Sequence, residues 1–123
     1  MALYRLRVIV CLLVFLLATA ARAELPASRV LPEDDQRKFK ADMAEIEQFR
    51  ATAADRPAMD FLKARNLAAW KQWPEAIQWL QRVADATAGF DPASDPLFKD
   101  LRQTPEFKAI LRQMEAATPP ARL

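Results

Sequence analysis

The feature that most constrains this chain is where its prolines fall in a sequence otherwise built to be helical. Nine prolines stand against a single glycine, Gly89, in 123 residues. Between the prolines run stretches of Ala, Leu, Lys, Arg, Glu and Gln, which are strong helix formers, and β-branched residues are scarce beyond residue 23. A helix accommodates proline in its first turn, where the missing N–H has no intrahelical partner to lose. The prolines therefore mark helix boundaries, and the chain reads as all-α.

The first 23 residues do not belong to that pattern. Met1 to Arg7 carries Arg5 and Arg7 and no acid. Val8 to Ala20 is apolar or small except for Thr19, and Ala21-Arg22-Ala23 follows. A charged start, a short apolar run and small residues at a cut predict a secretory signal peptide over 1–23. The run is short for a bilayer span, which needs about 20 residues, so a retained signal anchor is the alternative reading. Cys11 lies within the run rather than at the cut, which argues against a lipoprotein. The mature chain is expected to be exported, to a periplasm or out of the cell, with no stable membrane insertion.

Removing the leader changes the electrostatics. Arg5, Arg7 and Arg22 leave with it and no acid does, so 18 basic and 16 acidic side chains become 15 and 16, a net of −1. Nucleic-acid binding by clustered excess positive charge then has no basis. The mature chain has neither Cys nor His. Disulfides are thus unavailable to it, and its core must come from helix packing.

Residues 24–31 read as a linker, and one domain is expected over 32–117. A first helix should start at Pro32, with Glu33, Asp34 and Asp35 at the positive end of its dipole, and end near Ala54. Phe39, Met43, Ile46, Phe49 and Ala53 share one face. That stripe serves either as core or as a seam for a partner. Asp55 caps a second helix containing Pro57, with Phe61, Leu62, Ala64, Leu67, Ala68 and Trp70 on a broad apolar face. Trp73 precedes a proline and should be the next boundary. A third helix follows from Pro74 to about Ala88, with Ala76, Ile77, Leu80, Val83 and Ala84 inward. Gly89 is expected as its C-cap, with Phe90 packed back on its last turn. Asp95-Pro96 and Thr104-Pro105-Glu106 open two short helices, the second carrying Phe107, Ile110, Leu111 and Met114. Residues 118–123 read as a disordered tail or linker.

The stretch from Ala64 to Met114 resembles the end of a tetratricopeptide repeat array. Trp73-Pro74-Glu75-Ala76-Ile77, then Leu80 and Val83, is similar to the second helix of such a repeat. Ala64 and Leu67 take the packing positions of the first. Gly89-Phe90, Asp95-Pro96-Leu97-Phe98, Leu101-Arg102, Pro105-Glu106-Phe107 and Leu111 resemble the tail that closes such arrays. Lys63 departs from the pattern where it has Leu, and Lys71 where it has a turn Gly. The resemblance implies a tetratricopeptide-like helical hairpin, preceded by a long helix and closed by a short helical cap. It also implies work by protein–protein contact. Similar single modules precede a catalytic or β-propeller domain in larger exported proteins, which is the alternative role.

Reactive groups are sparse. Without His or Cys the commonest general base, thiol nucleophile and zinc ligands are missing, and Gly89 alone makes no phosphate loop. No enzyme activity, cofactor or metal is expected. Asp91 and Asp95 flank a turn, but a calcium loop needs more oxygen ligands at closer spacing. The tryptophans are the sharper candidates. Trp79 and its neighbour Leu80 must point in different directions, so an inward Leu80 turns Trp79 toward the flank. Trp73, Trp79 and Arg82 are the candidate surface for a protein partner.

Overall fold

A computed structural model describes residues 24–86 and 89–117. The fold is all-α. Its helices are α1 (Glu33–Thr52), α2 (Arg56–Ala69), α3 (Trp73–Asp85) and α4 (Pro105–Ala117), with 3-10 turns at Pro92–Ser94 and Pro96–Leu101 linking α3 to α4. No strand occurs among the described residues, and no helix there is long and apolar enough to cross a membrane. The leader and the 118–123 tail lie outside the described residues.

The helix starts obey the proline grammar with small offsets. Pro32 precedes α1, whose first turn carries Glu33, Asp34 and Asp35. The Asp55 carboxylate accepts from the Ala58 N–H at 3.1 Å and caps α2. Trp73, expected to stand outside the next helix, is the first residue of α3, with Gln72 as its N-cap. Thr104 caps α4 while itself buried: its Oγ1 accepts from the Phe107 N–H at 3.4 Å and donates to the Leu101 carbonyl at 2.7 Å. Pro96–Leu101 is a 3-10 turn rather than an α-helix. Only eight residues separate the proline that opens it from the one that opens α4. The tighter winding suits so short a piece.

The end of α3 differs from the reading above. The helix stops at Asp85 with Ala86 as its C-cap, and Thr87 and Ala88 lie outside the described residues. Gly89 is therefore not the residue that caps α3. Phe90 stacks on Phe61 of α2, ring centroids 4.7 Å apart. Phe61 in turn meets Phe98, which meets Phe107, so a row of rings ties α2 through the 3-10 turns to α4.

The left-handed residue is Lys71, at φ 58°. The Gln72 N–H reaches the Leu67 carbonyl at 2.8 Å and the Lys71 N–H reaches Ala68 at 3.0 Å. These are the two bonds of a Schellman motif, which closes α2 and reverses the chain into α3. A glycine is usual at that position because a Cβ is crowded there.

The core lies where α2, α3, α4 and the second 3-10 turn meet. Leu67, Leu80, Val83, Phe98, Leu101, Phe107 and Ile110 are fully buried, and each contributes about 1.5–3 kcal/mol by leaving water. Ala64, Ala68, Ala76 and Ala84 are buried with them and let α2 and α3 approach closely. α1 is less embedded. Ile46 is its one buried residue, Phe39 and Met43 are partly covered, and Phe49 is 59% exposed, against its expected place on the inward stripe. Leu62 of α2 is also exposed rather than inward.

Residues 24–31 carry no helix, yet they are tied to the body more firmly than a linker. Leu31 is buried and Leu25 packs against the core. The Arg29 N–H donates to the Lys71 carbonyl at 3.1 Å, and the Gln72 amide donates to the Arg29 carbonyl at 2.9 Å. The segment clasps the α2–α3 turn.

Candidate functional site

Trp79 lies one residue from Leu80 on α3, and the helical rotation between them decides its surroundings. Leu80 is fully buried, which turns Trp79 toward the flank shared with α1 and α2, where it is half-buried. Three cations from three helices converge on its indole. The Lys63 ammonium of α2 lies 3.8 Å from the ring centroid, the Arg82 guanidinium of α3 lies 4.2 Å away, and that of Arg50 on α1 lies 5.0 Å away. The negative face of the ring offsets part of their mutual repulsion.

Two carboxylates complete the cluster. Glu47 of α1 accepts from the Lys63 ammonium and lies 3.9 Å from Arg50. Asp60 of α2 accepts from the Arg50 Nε at 2.6 Å. The Lys63 hydrogen bond, with help from the charges of Lys63, Arg50 and Arg82, holds the Glu47 carboxyl below its usual range against the opposing effect of burial. The hydrogen bond to Asp60 raises Arg50 in the same way. Glu47 is therefore an ionised anchor, not a proton donor, at neutral pH.

Of the three residues singled out in the sequence, the structure brings Trp79 and Arg82 together and removes Trp73. Trp73 is 7% exposed and belongs to the core, so the candidate surface does not include it. Trp73 is buried at the start of α3 with Ala76, Leu80 and Val83 of the same helix. Arg50, Glu47 and Asp60 were not read from the sequence, because they join the site only when α1 docks on α2. Lys63 did leave a signal: it interrupts an apolar face where the repeat pattern has Leu. Its stem is largely covered and its ammonium reaches the indole, which is how a long cationic side chain fills a half-buried position.

The other candidates are otherwise engaged. Trp70 donates its indole N–H to Asp42 at 3.3 Å and meets Phe39 edge-on. Asp95 accepts from the Leu97 N–H and from Arg65 Nε at 2.7 Å, and Asp91 accepts from the Ser94 hydroxyl. An open depression of about 290 Å³ lies between the N-terminal segment and α1, with Arg29, Lys40, Gln36 and Gln72 among its lining. What the Trp79 cluster offers chemically is a fixed aromatic plate with guanidinium donors at its rim. Comparison with models of protein families, with curated proteins and with solved structures gives no match.

Proposed function

We propose that this chain is an exported, non-catalytic helical module that acts by protein–protein contact through the face built on Trp79 and Arg82. In this reading residues 1–23 are a cleaved signal peptide, the mature chain works in a periplasm or outside the cell, and no cofactor takes part. The observation that carries it is the Trp79 cluster. A partly buried aromatic ring with an exposed Arg over it is the composition of a binding hot spot. The tetratricopeptide-like hairpin is part of this proposal; in it Ala64, Leu67, Ala76, Leu80 and Val83, all buried as in any packed helical pair, would be the packing positions of α2 and α3.

The test is affinity capture with the mature chain, residues 24–123, beside its Trp79→Ala variant. One stoichiometric partner should be held by the first and lost by the second, while far-ultraviolet circular dichroism stays nearly unchanged. Unfolding of the Trp79→Ala chain would show the ring to be core and dismiss the site. Intact mass after export checks the leader, since cleavage after Ala23 removes residues 1–23.

A further inference from the structure

Arg82 stands apart within the Trp79 cluster. Lys63 donates to Glu47 and Arg50 to Asp60, so two of the three cations over the indole carry a carboxylate of their own. Among the described residues no carboxylate lies within ion-pair distance of Arg82. Glu47 feels its charge but is engaged by Lys63 and Arg50. Three cations against two carboxylates leave the cluster with a surplus of one positive charge.

The placement of Arg82 matters as much as its charge. Its guanidinium lies over the indole, and the residue is exposed. A guanidinium held against an aromatic ring offers its face to the ring and keeps its N–H edge for other partners. That edge matches a carboxylate in bidentate fashion, and holding the fork in place beforehand reduces the ordering cost on binding.

We propose that Arg82, backed by Trp79, receives an aspartate or glutamate side chain from an acidic segment of a protein partner. The incoming carboxylate gives the third cation what Glu47 and Asp60 give the other two. This inference rests on the protein-contact reading above and adds the chemistry of the partner.

The test is a nuclear magnetic resonance titration of the ¹⁵N-labelled mature chain at low salt, with acetyl-tetraglutamate amide as probe and acetyl-tetraglutamine amide as control. The Arg82 Nε–H and Trp79 indole N–H signals should move and saturate with the glutamate peptide and stay still with the glutamine one. Arg82→Gln should weaken binding roughly tenfold, with Arg82→Lys in between because an ammonium lacks the fork. An unchanged midpoint in Arg82→Gln overturns the proposal. So do shifts confined to Arg29, Lys40 or Lys71, which would show general attraction to exposed cations. A partner that Arg82→Gln retains and Trp79→Ala loses overturns the acidic chemistry while keeping the contact surface. Peptide binding at Arg82 without any captured partner overturns the surface's proposed role and keeps the carboxylate site.

Discussion

The two flanks of the α2–α3 pair are held by different forces. On the α4 side, Phe98, Leu101, Phe107 and Ile110 are buried completely, and the one buried polar side chain there, Thr104, has its hydroxyl satisfied. On the α1 side, Ile46 is the one buried residue of the helix, Phe39 and Met43 are partly covered, and the other contacts are ion pairs, the Asn66 amide on the Met43 sulfur, the Trp70 indole on Asp42 and the cations over Trp79. Apolar burial is strong and indifferent to direction. Part-exposed ion pairs each contribute about 1 kcal/mol or less, but they fix register. The α4 flank is therefore strongly attached, while the α1 flank is accurately placed and weakly attached. Such unequal stability within one small domain lets a docked element open without global unfolding.

A matched pair of truncations is the strongest challenge to that contrast. Phe107→Ala should cost about 3–5 kcal/mol, near the whole stability of a small domain. Met43→Ala, at a half-buried position, should cost about 1 kcal/mol. Urea unfolding followed by circular dichroism measures both, and equal losses would mean that the flanks carry equal apolar load. A smaller effect of opposite sign is expected at the turn between them. Lys71→Gly should stabilise by up to about 1 kcal/mol by relieving a Cβ in the left-handed region, read as a raised Tm. A lowered Tm would mean that the lysine side chain contributes more than its backbone costs.

The smallest effect should be pH-dependent and confined to the α1 flank. The folded Glu47 carboxyl titrates below its usual value of 4.5. Its contribution is thus complete above that unfolded-state value and is lost as pH falls through the lower folded-state one. Glu47 is half-exposed, so solvent screening keeps the contribution small. Wild type should melt above Glu47→Gln at neutral pH, and the gap should close as the pH is lowered further below 4.5. A gap that persists in acid would assign the effect to packing instead of charge.

The strong flank was legible in the sequence and the weak one was not, for one physical reason. Helix starts and apolar periodicity are local properties, so Asp55, Thr104 and the stripe of Phe107, Ile110 and Met114 could be read directly. The Trp79 cluster depends on how one helix lies on another. Glu47 and Arg50 reach Lys63 and Asp60 across gaps in sequence that no periodicity encodes. Phe49 shows the same limit from the other side. Its spacing placed it on the inward stripe, but α1 turns just enough to leave it in solvent. Trp73 differs in a third way, since its aromatic character marked it for a partner surface and the docked helices bury it.

The clasp at Arg29 bears on what counts as the smallest independent piece of this protein. Among the described residues every helix begins at or after Glu33, so a cut at Pro32 looks harmless on a diagram of secondary structure. Such a cut would remove Leu25 and Leu31 from the apolar interior, take the Arg29 N–H from the Lys71 carbonyl, and leave the Gln72 amide only its bond to the Trp70 carbonyl. The cooperative unit therefore starts upstream of Glu33, and its non-helical margin is a structural member that braces the left-handed turn at Lys71.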